Sequence, residues 1–147
     1  MPAFSFSLES VLQHRRRIEE DCQRKLAAAR AVLMEEQRLL AGLEASRASC
    51  AEDLRLKMQH NVTAAELLFF QRYSARLAGD IAGRQVKVAA AAKDVELRRT
   101  DLVAALKKRQ VLDKLKEKQM LSAAKLERRQ EQDFANEMAV TRYARPR

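Results

Sequence analysis

The chain of 147 residues contains no tryptophan, three glycines, two prolines and two cysteines, and each scarcity excludes something. The prolines stand at the margins, Pro2 and Pro146, so nothing between them obliges a helix to stop. Gly42, Gly79 and Gly83 form no phosphate-cradling loop. Aromatic residues make up 5% of the chain and charged residues 33%, a balance that suits a coiled coil or long helix and not a compact mixed fold. Cys22 and Cys50 lie 28 residues apart, about 42 Å along a straight helix. They cannot bridge within one helix, so reduced thiols and a cytosolic chain are expected. His14 and His60 stand alone, with no CxxC or Cys/His spacing nearby. No catalytic residue, metal ligand or cofactor is expected. No stretch has the apolar length of a membrane span, and in MPAFSFSLESVLQHRRR the basic cluster follows the apolar patch, the reverse of a secretory signal.

What is present is a pair of heptad seams. Steps of four and three from Leu8 pass through Leu12, Leu26, Leu33, Leu40, Leu43, Cys50 and Leu54, with Arg15, Glu19, Glu36 and Arg47 as polar interruptions. Steps of three and four from Leu67 pass through Phe70, Leu77, Ile81, Val88, Ala91, Val95, Leu102 and Leu112, interrupted by Ser74, Arg84, Arg98 and Arg109. Between the seams, Thr63 and Glu66 form T-x-x-E, a helix-start signal in which the Thr oxygen accepts from the Glu66 N–H and the Glu side chain reaches back. Val62 and Leu67 occupy the staple positions around it. Two equal seams about one restart predict an all-α fold, two long helices in an antiparallel coiled-coil hairpin over residues 1–147. Helix 1 is expected over about 7–59, the hinge over 60–63 and helix 2 over 64–142. Leu12 should lie near Leu112. The second seam fades beyond Lys116, so the C-terminal 30 or so residues are expected to overhang, with Leu115, Leu126, Phe134, Met138 and Val140 read as one narrow apolar stripe lacking an intramolecular partner.

Net charge is +9, and its distribution says more than its size. The basic excess is +1 over residues 1–60, +2 over 61–106 and +6 over 107–147. Arg15, Arg16 and Arg17 should approach Lys107, Lys108 and Arg109 in the folded chain. The register places Arg15 against Arg109, a like-charge contact that an acidic partner surface would relieve. Nucleic acid is the competing partner, since basic clusters and a pI near 10.0 are its electrostatic footprint. Acids alternate with bases along most of the chain and no binding module accompanies them, so no specific nucleic acid is expected. At the other end, Phe70 plugs the hairpin tip, while Phe69 and Tyr73 point off the seam and suit a partner surface. Gly79 and Gly83 either weaken helix 2 or admit a close backbone.

The opening FSFSLESVLQHRRRIEE, the spacing of Tyr73, Leu77, Ile81 and Gln85, the block KKRQVLDKLKEKQ and the closing EQDFANEMAVTRY together resemble the FliJ family of the bacterial flagellar type III export apparatus. The resemblance implies a non-enzymatic stalk, similar to that of rotary ATPases, that promotes export of flagellar proteins. Its basic end, Arg15, Arg16, Arg17, Lys107, Lys108 and Arg109, would meet the hexameric export ATPase. A face including Phe69, Tyr73, Leu77 and Arg84 would meet the cytoplasmic domain of the export gate, although Asp80 stands where a small residue is expected. Export chaperones are further implied partners, with the tail residues Leu126, Phe134 and Met138 left for a partner. The expected location is the cytoplasm, peripheral at the inner membrane through partners. A stalk of a virulence-type III secretion system is the alternative.

Overall fold

The computed structural model describes residues 4–144, which form two α-helices, α1 (Glu9–Met58) and α2 (Ala64–Ala144). No strand occurs among the described residues. The sequence explains both beginnings. The Phe6 carbonyl accepts from the Glu9 N–H at 3.1 Å and the Leu8 carbonyl from the Leu12 N–H at 2.9 Å, while Glu9 places a carboxylate in the first turn, where the helix dipole favours it. At the other end Arg55 and Lys57 occupy the last turn of α1. There the Leu56 and Lys57 carbonyls accept from the Gln59 and His60 N–H groups at 3.3 and 3.0 Å, which closes the helix with tight i→i+3 bonds.

The α2 cap forms only half of the expected box. Thr63 Oγ1 accepts from the Glu66 N–H at 3.1 Å, and the Thr63 carbonyl accepts the first helical bond from Leu67 N–H at 3.0 Å. The Glu66 carboxylate does not turn back to the cap. Lys57 Nζ donates to it at 3.2 Å instead, because an ammonium across the hinge is a stronger partner than a single amide. No residue among those described has positive φ, so the connection reverses the chain without a left-handed residue.

The chain divides into two compact units, a hinge unit of residues 21–102 and a terminal unit formed by residues 1–20 with 103–147. In the hinge unit the two helices run antiparallel from the Thr63 cap, and Leu26, Ala29 and Val95 form a buried cluster with Leu33 and Leu102 packed against it. Cys50, Leu77, Ile81 and Ala91 are also buried, all seam positions. Arg84 Nη1 donates to Glu36 across the helices at 2.7 Å. Both are seam residues, so these polar interruptions pair with each other and set the register.

In the terminal unit Leu12 is fully buried, joined by Phe6, Glu19 and Ala105. The pairings of Glu9 with Lys116, Arg16 with Asp113 and Glu19 with Arg109 give an antiparallel register that sets Leu12 opposite residues 113–117, up to about one turn beyond the expected Leu112. From Glu117 to Ala144 every residue is exposed except Ala123 and Ala124, which are half-buried. The seam of α2 therefore ends where expected. The narrow apolar stripe does not exist, however: at 3.6 residues per turn Leu115, Leu126, Phe134, Met138 and Val140 spread over about 160° of the helix. Leu126, Phe134, Met138 and Val140 are exposed along this broad arc, and Val140 shares a small apolar patch with Ala139, Tyr143 and Ala144.

Candidate functional site

Two surfaces carry the residues that the sequence singles out, one in each unit. In the terminal unit the six expected cations divide into two kinds. Lys107 and Lys108 are exposed, Arg17 is exposed with Nε only 3.5 Å from the Gln13 carbonyl, and Arg15 is half-buried. Arg16 and Arg109 are already engaged. Arg16 donates to Asp113 at 3.1 Å, and Arg109 lies between Glu19, at 2.6 and 3.2 Å, and Asp113, at 2.7 Å.

The expected repulsion between Arg15 and Arg109 is therefore replaced by attraction. Glu19 stands one turn beyond Arg15 on the seam of α1, and its buried carboxylate receives the Arg109 fork. A seam read as apolar with four defects hides this, because a polar defect on one helix has meaning only beside its partner on the other. The network has electrostatic consequences. Hydrogen bonding to Glu19 and then Asp113 raises the Arg109 pKa above its ordinary value. The Arg109 guanidinium, then Arg16, hold the Asp113 carboxyl below the usual carboxylate range. Glu9 is lowered likewise, first by its bond from Lys116 and then by that from Gln13. Of the six expected cations, Arg15, Arg17, Lys107 and Lys108 thus have no carboxylate paired to them among the described residues.

In the hinge unit the four expected residues also separate. Leu77 is buried against α1 and Arg84 is tied to Glu36, so both serve the helix pair. Phe69 is 66% exposed and Tyr73 42% exposed. Their rings stack with centroids 6.3 Å apart and planes within 4°, while Phe69 meets Phe70 edge-on at 6.0 Å. Ala65, Leu68, Arg72 and Arg76 line the same shallow groove as Phe69 and Tyr73. Leu68, Arg72 and Arg76 did not stand out in the sequence, yet positions 65, 68, 69, 72, 73 and 76 are one helical face by spacing. The result is an aromatic platform flanked by two guanidiniums. Gly79, Asp80, Gly83 and Arg84 line a neighbouring groove with Leu43 and Lys87. A Cβ added at Gly79 or Gly83 would meet nothing within 4 Å, so no backbone of this chain approaches them.

Among the described residues no group of three or more His, Cys, Asp or Glu can hold a metal ion, and no helix is long and apolar enough to cross a membrane. Cys22 and Cys50 are free thiols, half-buried and buried. The Cys50 Sγ lies 4.0 Å from the Phe70 carbonyl, a packing contact across the hinge unit.

No curated protein matches the chain. Among solved structures it is similar to a protein of Chlamydia trachomatis described as a YscO homologue, with a TM-score of 0.58, 23% identity and 96% of each chain covered. That likeness supports the paired-helix fold. The family profile described as "Flagellar FliJ protein" matches residues 4–147, nearly the whole length. The chain belongs to the FliJ family of flagellar proteins.

Proposed function

We propose that this protein is a non-enzymatic stalk of the flagellar protein export machinery that binds the hexameric export ATPase through its terminal unit and the export gate through its hinge unit. The observation that carries this reading is the separation of two unlike surfaces into two units. Arg15, Arg17, Lys107 and Lys108, with no carboxylate paired to them among the described residues, offer charge to the ATPase, and Phe69 and Tyr73, with Arg72 and Arg76 beside them, offer an aromatic platform to the gate. Arg16 and Arg109 hold the helices together beneath the first surface, and Leu77 and Arg84 do so beneath the second.

A stalk of this kind acts by differential contact. If it binds one arrangement of ring subunits more tightly than another, it shifts the ring toward that arrangement, and the same free energy strengthens its own binding there. The protein then works at the cytoplasmic face of the inner membrane, and the exposed tail residues Leu126, Phe134 and Met138 are available to export chaperones. A stalk of a virulence-type secretion system is the second reading, favoured by the fold shared with the YscO homologue. Addition of the purified chain to the flagellar ATPase and to its virulence counterpart separates the two. Stimulation of the flagellar enzyme supports the first reading, stimulation of the virulence enzyme alone supports the second, and no effect on either contradicts both.

A further inference from the structure

Acids and bases alternate along the C-terminal sequence, but they do not alternate around α2. Lys107, Lys114, Lys118, Lys125 and Arg129 recur at spacings of seven, four, seven and four residues. At 3.6 residues per turn they fall within about 60° of one another, on a row about 33 Å long. All five are exposed, and no ion pair among the described residues uses them. The row lies on the side of α2 opposite Ala105, Arg109, Leu112 and Lys116, which face α1. The acids of this stretch, Asp113, Glu117, Glu127, Glu131 and Asp133, all fall more than about 60° from the Lys107 line. Val111 and Leu121, 66% and 62% exposed, flank the row on either side, each about 40° from the Lys107 line.

We propose that this row docks α2 directly on an anionic lipid bilayer, with the helix lying along the surface. Three features favour a membrane. A straight row of this length meets a flat surface along its whole extent, whereas a DNA groove winds about its axis and curves away from a straight helix. Its charges are mostly lysines, point charges on flexible stems that need no bidentate geometry. Exposed aliphatic side chains between the charges suit the headgroup boundary and would gain nothing beside a phosphodiester strand. Each basic residue near an anionic surface strengthens binding by roughly fivefold, so five are enough for measurable, salt-sensitive attachment. The docking requires neither the ATPase nor the gate, and because Lys107 belongs to both surfaces it alternates with ATPase binding.

The test is co-sedimentation of the full chain with phosphatidylglycerol-containing vesicles and with pure phosphatidylcholine vesicles, beside binding to duplex DNA and to polyglutamate. The expected result is binding to the anionic vesicles only, weakened by salt. Lys114→Gln, Lys118→Gln and Lys125→Gln together should weaken it about a hundredfold. Arg30→Gln, Lys87→Gln and Arg142→Gln, which remove the same charge away from the row, should change it by less than about tenfold. None of these six residues is buried or ion-paired, so both triple variants should keep the helicity of the parent. Absence of vesicle binding, equal weakening by both triple variants, or row-dependent binding to DNA or polyglutamate at least as tight as that to vesicles would each overturn the proposal.

Discussion

The hinge unit and the terminal unit use the same two helices but hold them together differently. The hinge unit has a contiguous apolar cluster, Leu26, Ala29 and Val95 backed by Leu33 and Leu102, with a single seam ion pair between Glu36 and Arg84. The terminal unit has one fully buried side chain, Leu12, and relies on linked charges: Glu9 with Lys116, Arg16 with Asp113, and Arg109 with both Glu19 and Asp113. Apolar burial is non-directional and involves no screened charge or titrating group, whereas the charge network depends on both ionic strength and pH. The comparison teaches that similar heptad patterns can build one stretch as a fixed body and another as a responsive one. The responsive stretch is the one with the basic surface.

The comparison breaks most forcefully at Leu12. Leu12→Ala should cost about 2–5 kcal/mol, since the side chain is fully buried and its truncation leaves a cavity. Amide exchange should then quicken more across 9–20 and 103–116 than across 64–90, and equal quickening in both would erase the distinction between the units.

Acid sharpens the same contrast. Glu9 and Asp113 have lowered pKa values in the folded chain, so the unfolded chain takes up their protons first. Their contribution is fully present above the ordinary carboxylate range, about 4 to 4.5, and is lost as pH falls through the lowered values. Glu35 and Glu52 are lowered as well, but chiefly by Arg38 and Arg55 on the same helix, so their protonation breaks no hydrogen bond between helices. Exchange protection in the terminal unit should therefore fall more steeply below about pH 4 than that of the hinge unit, and Asp113→Asn should flatten the difference. A pH profile unchanged by that substitution would count against the network.

The smallest expected effect lies in the hinge unit. Gly79→Ala and Gly83→Ala should each raise stability by about 0.5–1 kcal/mol, because both glycines are inside α2 and the added methyl meets open space. Thermal unfolding checks this. A simultaneous loss of gate binding would show that a partner backbone approaches there.

Much of the fold was legible because a heptad seam is a one-dimensional signal. Every position of the second seam from Leu67 to Leu112 is buried or half-buried, and on the first only Leu8 and Arg47 are exposed. The helix ends, expected at 7–59 and 64–142, fall at 9–58 and 64–144. What escaped was two-dimensional. The Glu19–Arg109 and Glu36–Arg84 pairs were visible only as defects, since a pair needs both helices in register. Phe6, which lies outside both seams, is buried. The resemblance implied a docking face that included Leu77 and Arg84, but both face the opposing helix. The basic row on α2 was hidden because bases and acids alternate in sequence and separate only in angle.

The most direct test of the two-surface account measures binding of the full chain to the export ATPase and to the cytoplasmic domain of the gate, side by side, for two variants. One carries Arg15→Ala, Arg17→Ala, Lys107→Ala and Lys108→Ala, and the other Phe69→Ala and Tyr73→Ala; none of these residues is buried. The account predicts that the first variant loses roughly tenfold or more in affinity for the ATPase and keeps the gate, while the second loses the gate and keeps the ATPase. Loss of ATPase binding by the aromatic variant, with normal ATPase binding by the basic one, would contradict it.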